Sequence, residues 1–586
     1  MLHYDDVLRN ILGEFGTYQK ACFILVGIAA PLPLALVTLS PVFLFATTDS
    51  LCKVPEASEI SKQICFNNTI GNCDLLVKNL TIPRINKDIG CGSVSVFDQC
   101  RRYNISYDDI AAYPETNIES FINNNETIKC DHGWEYDRSQ YKLTVSHQFD
   151  LVCDRFYMNA LPTSVYMFGM LAGSIIWGYV LDMFGRMTGF MVGNVLLIIT
   201  GIIGAFPFNY VMFVVMRFFI PVSQYGVYLA GFVLVCEYVG PTKRTFTGMM
   251  YSSFFSAGYM VLAVYAYFIR EWWILQLVTI VPNVIFLIYY WVVPESPRWL
   301  ISVGRTKEAE NIISRCARIN KVDIPKDLFK QEWQNETKRD NTGDLNQTKY
   351  GCITLIRYPN LRKKTIILCY TWITITLIYY GISFDTSNLG GNVYLNMFIS
   401  GVVEIAAYIF GIILMENSRI GRRWAHCSTL VFAGIACIAL AFVPPCGGYV
   451  WLGITLAMLG KFGITSAFGM IYVYSAELFP TPLRSVGVGT CSMCARIGGI
   501  LAPQLLLMGE VWKQLPPLVF GITSIVAGIL IVFLPETRGV ELPESIEEAE
   551  QFGNKYGIIQ NNDPRKQNKG VNIVANEDNS VELNVL

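Results

Sequence analysis

Twelve apolar runs, each about 20 residues long, dominate this sequence. They lie at roughly 21–46, 157–181, 188–206, 209–236, 246–269, 272–293, 365–384, 393–415, 425–443, 450–476, 485–508 and 516–534. A helix of that length crosses the hydrocarbon core of a bilayer. Only 16% of the residues are charged, against about 25% in soluble globular domains. The sequence therefore predicts an all-α integral membrane protein with twelve transmembrane helices.

A long polar segment, residues 47–156, separates the first two runs. It carries seven of the seventeen cysteines, namely Cys52, Cys65, Cys73, Cys91, Cys100, Cys130 and Cys153. It also carries four N-x-Ser/Thr sequons, at Asn67, Asn79, Asn104 and Asn125. Both features are typical of an oxidising, extracellular compartment. We therefore expect an extracellular, glycosylated loop domain in which the disulfide pairing stays open and one thiol is free or pairs elsewhere.

Short basic clusters indicate the orientation of the chain in the membrane. Arg186, Lys243 with Arg244, Arg422 with Arg423, and residues 362–364 all fall on the side of the N-terminus. Because basic loops stay in the cytoplasm, both termini are expected there. The expected organisation is a cytoplasmic segment 1–20 without a cleavable signal, a first span 21–46, the loop domain 47–156, spans 157–297, a cytoplasmic loop 298–364, spans 365–535 and a disordered cytoplasmic tail 536–586.

The two halves of the chain repeat each other. Residues 237–244, EYVGPTKR, match residues 477–484, ELFPTPLR, with the same spacing between glutamate and arginine. Pro294-Glu-Ser matches Pro535-Glu-Thr, and Gly185-Arg matches Gly421-Arg. A duplication of six spans is the architecture of transporters whose halves move about a central site. The sequence thus predicts two six-helix pseudo-repeats.

Several of these marks resemble a known family. The pattern Gly178-x-x-x-Asp182-x-x-Gly185-Arg186 resembles the loop signature of the major facilitator superfamily. PESPRWL, residues 294–300, resembles its sugar and organic-ion branches, and the cysteine-rich loop resembles that of the organic cation, anion and zwitterion transporters, solute carrier family 22. The stretches 384–391, 401–408 and 461–480 look most like the carnitine and zwitterion branch.

The resemblance implies a plasma-membrane carrier that works by alternating access and is not an enzyme. Carnitine-like zwitterions are the first expected substrate class, and a polyspecific organic cation transporter is the alternative. A non-transporting, ligand-sensing membrane protein is the alternative of another class, whereas the charge rings or carbonyl-rich loops of a channel are not found in the sequence. No cofactor is expected, and sodium coupling, exchange and facilitated diffusion stay open.

Arg496 is the first candidate for solute binding. It lies about twelve residues beyond the polar break 476–485 and hence near mid-membrane depth, where a lone cation costs roughly 2.5–3.5 kcal/mol on insertion scales. The resemblance implies that this position is acidic in cation carriers and arginine in anion and zwitterion carriers. A planar guanidinium suits a carboxylate, although a purely structural arginine is the competing interpretation.

The remaining substrate-binding candidates also lie inside spans. Glu404 is a mid-depth carboxylate that can attract a cationic head or neutralise Arg496 permanently. Lys461 either contacts an anion or pairs with an acidic residue. Gln224 and Tyr228 share one helix face, and the resemblance implies that they line a central cavity. Trp372 and Tyr379 offer aromatic faces for a trimethylammonium group, although aromatic residues in spans are also ordinary packing.

A second set of residues is expected to form a cytoplasmic latch between the halves in the outward-open state. Its members are Asp182, Gly185, Arg186, Glu237, Arg244, Glu477 and Arg484. Met183 and Met187 replace basic residues that are frequent in the first loop signature, and Ser418 stands where an aspartate is expected in the second. The second latch is therefore predicted to be weaker or rewired.

Other functions find no support in the sequence. Four scattered histidines make a histidine-based metal site unexpected. The net charge of −1 says nothing about nucleic acid, but the sequence shows no basic domain or zinc-ligand spacing, so no nucleic-acid partner is expected. A phosphate-binding loop, a nucleotide fingerprint and a catalytic triad pattern are missing from the sequence. The expected partners are a small organic ion and the lipid bilayer, and the protein is expected to be a monomer.

Overall fold

The computed structural model describes residues 4–54, 73–88, 92–104, 126–323, 352–444, 447–540, 543 and 545–552. Within them, twelve helical stretches are long and apolar enough to cross a membrane, which confirms the predicted fold class. They are Thr17–Leu44, Cys153–Phe184, Arg186–Ala205, Tyr210–Tyr238, Phe246–Phe268, Trp272–Val292, Pro359–Ser387, Val393–Glu416, Gly421–Ala441, Val450–Leu478, Thr481–Met508 and Leu515–Val532. We number them spans 1 to 12. Because the number of spans is even, residues 4 and 552 lie on the same side of the bundle, which we call the terminal face. We call the opposite side, which carries the loop domain, the loop face.

Shorter elements lie outside the spans. The helices are Tyr4–Val7, Leu8–Leu12, Cys73–Thr81, Val145–Gln148, Pro297–Ser302, Thr306–Asn320, Cys352–Arg357 and Ile546–Gln551. Six strands in the loop domain form three antiparallel pairs: β1 (Ser50–Cys52) with β6 (Trp134–Tyr136), β2 (Arg84–Asp88) with β3 (Ser93–Phe97), and β4 (Arg101–Tyr103) with β5 (Thr127–Lys129). Two-stranded ribbons are marginally stable alone, and disulfides at Cys52, Cys100 and Cys130 connect the β1–β6 and β4–β5 ribbons to the rest of the chain.

Two disulfides hold the loop domain together. Cys52 pairs with Cys130 and Cys100 pairs with Cys153, while Cys65, Cys91 and the side chain of Cys73 lie outside the described residues. The second bridge ties the domain to the start of span 2. The domain also contacts span 6, where the Trp272 indole donates to the Gln148 side chain at 2.8 Å.

Two of the predicted glycosylation sites, Asn67 and Asn125, lie outside the described residues. Asn104 is exposed, and its backbone N–H donates to the Glu126 carbonyl, which continues the pairing of β4 with β5 by one hydrogen bond. Asn79 is half-buried in a helix and accepts a hydrogen bond from Arg84 at 3.0 Å. Asn104 is therefore the more accessible of the two described sequons.

Small residues let the spans pack closely. A Cβ atom on Gly498 of span 11 would lie 2.2 Å from the Ile373 carbonyl oxygen of span 7. Spans 9 and 12 meet in the same way, because a Cβ on Gly434 would lie 2.8 Å from the carbonyl oxygen of Gly521. Such close approach of backbones is the usual basis of helix association in lipid.

The terminal face differs from the sequence expectation in two respects. Span 7 begins at Pro359 rather than at 365, because the Glu550 carboxylate accepts from the backbone N–H groups of Asn360 and Leu361 at 2.7 and 2.9 Å. The tail, predicted to be disordered from 536 onward, forms the helix Ile546–Gln551 with a capping box at Ser545. The helix end contacts span 7 through the Lys364 ammonium, which donates to the Ala549 carbonyl at 2.8 Å.

Candidate functional site

An ion pair lies at mid-depth between the two halves. The Lys461 ammonium of span 10 is 2.8 Å from a Glu404 carboxylate oxygen of span 8, and both side chains are completely buried. The other oxygen of Glu404 accepts a hydrogen bond from the Ser256 hydroxyl of span 5 at 2.8 Å. Each carboxylate oxygen of Glu404 thus has one polar partner, as burial of a charge in a low-dielectric medium requires. Glu404 thus neutralises Lys461, not Arg496.

Aromatic and hydroxyl groups complete the surroundings of Lys461. Its ammonium lies 4.2 Å from the ring centre of Tyr379 and 4.8 Å from that of Tyr259. It also donates to the Tyr259 hydroxyl at 3.0 Å and to the Ser383 hydroxyl. One carboxylate with two aromatic rings is a cage for an ammonium ion, and in this structure the resident occupant is Lys461. We call this set the Lys461 cluster.

Arg496 of span 11 forms a second cluster. Its guanidinium donates to the Tyr225 hydroxyl of span 4 at 3.1 Å and lies 5.1 Å from the ring centre of the same residue. Tyr380 and Tyr472 also lie close to the guanidinium. No carboxylate lies within 4.0 Å of Arg496 in the described part of the chain, and its Nε atom has no hydrogen-bond partner there. A buried cation without an anion is costly at this depth.

The two clusters adjoin through neighbouring aromatic residues. Tyr379 of the Lys461 cluster and Tyr380 beside Arg496 are adjacent in sequence, with ring centres 5.3 Å apart. The predicted residue Tyr228 lies beside Tyr225 at 5.9 Å. Trp372 packs edge-on against Tyr472 at 4.4 Å, while its indole N–H donates to Ser475.

Gln224 is completely buried and directly precedes Tyr225. Neither of its amide atoms has a hydrogen-bond partner within the described residues. The structure thus brings six of the seven predicted substrate-binding residues into one region formed by the two clusters and their aromatic neighbours. Gln224 borders this region only as the sequence neighbour of Tyr225.

A third cation, Arg217 of span 4, occupies the place in the first half that Lys461 holds in the second. Its guanidinium lies 4.8 Å from the ring centre of Tyr166. Its side chain is sealed, with a residue exposure of 1%, whereas Arg496 is 8% exposed. Both arginines are therefore buried, and Arg496 is the less deeply buried of the two.

Hydrogen bonds between the halves show which side of the structure is closed. The Gln504 amide of span 11 donates to the Ser164 hydroxyl of span 2 at 3.0 Å, and that hydroxyl donates to the Ile500 carbonyl at 3.0 Å. Both contacts lie at the loop-face ends of their spans. At mid-depth the halves meet through the Lys461 and Arg496 clusters. The structure is thus closed toward the loop face.

The predicted latch residues form ion pairs on the terminal face. Arg186 lies 3.1 Å from Glu237 and 3.4 Å from Asp182. Arg422 lies 2.7 Å from Glu477 at the equivalent place in the second half. Each pair joins elements of one half, so locking of one half onto the other stays a prediction for the outward-open state.

The glycines of the two loop signatures carry a structural role that sequence reasoning missed. Gly185 has φ +100° and would place a Cβ 2.5 Å from a Glu295 oxygen, and Gly421, with φ +72°, meets Glu536 in the same way. Each glutamate caps a span: Glu295 accepts from the backbone N–H of Arg186 at 2.9 Å, and Glu536 from that of Arg422 at 2.8 Å. Burial raises the pKa of the Glu295 carboxyl, although the backbone donors counteract this effect.

The two remaining latch arginines differ in their surroundings. Arg244 pairs with Asp5 of the N-terminal segment at 2.6 Å, a partner that the sequence analysis did not predict. Arg484 begins the long helix of span 11, and its Nε atom has no hydrogen-bond partner among the described residues. The internal repeat thus predicted the positions of these arginines but not their contacts.

Sequence reasoning also missed four contact residues of the central region, namely Tyr259, Ser256, Ser383 and Tyr472. All four are polar or aromatic residues inside spans, which is a signal too common to single them out. Their role follows from which span faces which, and only the packed structure provides that.

Known proteins resemble this chain over nearly its whole length. A family model described as sugar (and other) transporter matches residues 124–549. An organic cation transporter protein of Drosophila melanogaster is 39% identical over 94% of this chain and 95% of its own length. Solute carrier family 22 member 21 of Mus musculus is 36% identical and the organic cation/carnitine transporter 2 of Homo sapiens 34% identical, each over 94% of both chains.

A solved structure supports the same fold. The proton:xylose symporter XylE of the major facilitator superfamily, bound to 6-bromo-6-deoxy-D-glucose, superposes with a TM-score of 0.53 at 16% identity, over 91% of this chain and 99% of its own. These relatives are transporters and not enzymes. The chain therefore belongs to the sugar (and other) transporter family, and within it to the organic-ion transporters of solute carrier family 22.

Proposed function

We propose that this protein carries small zwitterionic organic ions of the carnitine type across the plasma membrane by alternating access. The observation that carries the proposal is Arg496, a buried mid-depth cation with aromatic neighbours and no carboxylate within 4.0 Å in the described residues. A solute carboxylate would supply the missing anion through paired, charge-assisted hydrogen bonds. The name of the organic cation/carnitine transporter 2, a relative over 94% of the chain, supports this substrate class.

The cationic head of the solute would use the aromatic residues beside Arg496. Tyr225, Tyr228 and Tyr472 offer ring faces there, and each contact of a ring with a quaternary ammonium contributes about 0.5–2 kcal/mol. The Lys461 cluster provides the negative charge. When Lys461 moves away from Glu404, the solute ammonium takes the place of the Lys461 ammonium beside the carboxylate. Glu404 thus exchanges one cationic partner for another.

This exchange gives a reason for coupling between binding and movement of the halves. Ser256 and Tyr259 belong to the first half, whereas Glu404 and Lys461 belong to the second. Displacing Lys461 would break hydrogen bonds that join the halves at mid-depth. A ligand shifts a conformational equilibrium only through contacts that differ between the two states, and these bonds are such contacts.

A polyspecific organic cation carrier is the second candidate function. The names of the organic cation transporter relatives support it, and the cage around Lys461 suits a cation without a carboxylate. Arg496 opposes it, because a cationic solute would then lie next to an uncompensated guanidinium. The same transport measurement distinguishes both classes from a non-transporting sensor.

The proposal includes an orientation and a location. The terminal face would be cytoplasmic and the loop face extracellular, where the two disulfides are stable and Asn104 is open to glycosylation. The carrier would work as a monomer without a cofactor. Sodium coupling and exchange are two forms that the same transport cycle can take.

The test is uptake of labelled carnitine and of labelled tetraethylammonium by cells that express the chain, with and without sodium. A carrier gives saturable uptake that accelerates when the opposite side is preloaded with unlabelled substrate. Uptake of neither compound above the level of untransfected cells, with the protein present at the surface, would contradict the proposal. Uptake of tetraethylammonium alone would favour the cation carrier.

A further inference from the structure

A cavity of about 230 Å³ lies on the loop face, outside the central region. Its walls come from the ends of spans 1, 2, 7, 8 and 11 and from the loop domain, which contributes Gln140 and Tyr141. It is smaller than the roughly 300–1,000 Å³ of sites for drug-sized ligands. Its size therefore fits a small organic solute.

The lining of the cavity has the chemistry of a cation site. Four of its nineteen lining residues are aromatic, namely Phe45, Tyr141, Phe156 and Phe384. Glu510 is the one charged residue among those nineteen, and its side chain is exposed. Aromatic faces with a single carboxylate attract organic cations and repel anions. The charge of this cavity is thus opposite to that of the Arg496 cluster.

The cavity lies on the loop-face side of the contact that closes the two halves against each other. Its lining residues Thr163 and Pro503 are the sequence neighbours of Ser164 and Gln504, whose hydrogen bond closes the loop face. Below them, Phe384 of the cavity wall stacks on Tyr380 with ring centres 5.8 Å apart and an interplanar angle of 17°. Tyr380 in turn lies beside Arg496.

From this arrangement we infer that the cavity is an outer binding site for the cationic head of the solute, with Glu510 as its counter-ion. A solute bound in the cavity lies outside the Ser164–Gln504 hydrogen bond. When that contact opens, the solute moves past the stacked rings of Phe384 and Tyr380 to Arg496. This inference deepens the proposed function and rests on it for the direction of travel. The cation site itself stands on the cavity alone.

The test measures equilibrium binding of labelled tetraethylammonium to the purified full-length chain in lipid nanodiscs. Glu510→Gln removes the charge and keeps the shape, and its exposed position makes a folding defect unexpected. Lys513→Gln is the matched control, because Lys513 is exposed three residues away and does not line the cavity. We expect Glu510→Gln to weaken tetraethylammonium binding about five-fold, the upper range for an exposed ion pair, and Lys513→Gln to leave it unchanged.

Uptake by the same three proteins separates this inference from the proposed function. Equal tetraethylammonium binding by wild type and Glu510→Gln, or no binding by wild type, overturns the outer site whatever the uptake shows. Glu510-dependent binding without any uptake by wild type keeps the site and overturns the transport proposal. If wild type shows both Glu510-dependent binding and uptake, Glu510→Gln should raise the KM for tetraethylammonium uptake from the loop face. It should leave the KM for tetraethylammonium efflux unchanged.

Discussion

Breaking the ion pair between Lys461 and Glu404 is expected to destabilise the protein strongly. At 2.8 Å and an effective dielectric constant of about 20, the attraction of the two charges is about 6 kcal/mol. Desolvation of both charges offsets part of that attraction, so we expect a cost of about 3–5 kcal/mol when one partner is removed. Glu404→Gln leaves the ammonium with the Tyr259 and Ser383 hydroxyls as its main partners.

The double variant Glu404→Gln/Lys461→Met separates stability from transport. It removes both charges, so its stability should return to near that of wild type, with a coupling energy above about 2 kcal/mol. Thermal unfolding of the purified wild type, the two single variants and the double variant measures this cycle. If Glu404 receives the solute cation, the double variant recovers its melting temperature and still fails to take up carnitine.

Two results would refute this reasoning. Single variants as stable as wild type would show that the pair contributes nothing to the fold in the membrane environment. A double variant that transports carnitine like wild type would show that Glu404 is not the counter-ion of the solute. In the second case the aromatic residues beside Arg496 would have to hold the ammonium without a carboxylate.

Three further predictions test other parts of the structure. Gly498→Ala should destabilise the protein by about 1–3 kcal/mol through overpacking against span 7, whereas Gly489→Ala, in open space on the same helix, should not lower the melting temperature. Burial lowers the pKa of His147 to about 4 from about 6.5 in the unfolded chain. Between pH 6.5 and 4 the imidazole of His147 is therefore protonated in the unfolded chain but neutral in the folded protein. The folded protein should lose about 1–2 kcal/mol of stability as the pH falls through this range, a figure discounted for partial solvent exposure. His147→Gln should reduce this loss in melting curves, and the exposed control His132→Gln should retain it. Glu550→Ala removes the cap of span 7 and should cost about 0.5–2 kcal/mol, and an unchanged melting temperature would contradict that role.

Hydrophobic length and internal repetition predicted most of the fold. The twelve spans follow from runs of apolar residues, because a backbone in lipid must satisfy its own hydrogen bonds and has few alternatives to a helix. The first turn of span 7 escaped prediction, because four of the six residues 359–364 are polar or basic and the segment is capped by Glu550, almost 200 residues away. Long-range capping of this kind leaves no local signal.

The sequence analysis named the charged residues of the candidate site but not their pairings. Charged residues within apolar runs are rare enough to be noticed, which singled out Arg496, Glu404 and Lys461. Which carboxylate meets which cation depends on the rotation of each span about its axis, and that is set by packing against neighbours. The sequence analysis considered Arg496 as a partner of Glu404 and gave Lys461 only an unspecified acidic partner, whereas the packed spans bring Lys461 to Glu404.

The most direct test of the central claim is uptake of carnitine and of tetraethylammonium by the Arg496→Ala variant, corrected for surface expression. The account predicts that carnitine uptake is lost while tetraethylammonium uptake does not fall, because only carnitine needs a cation for its carboxylate. Carnitine uptake equal to that of wild type would contradict the account, since Arg496 would then be a structural residue.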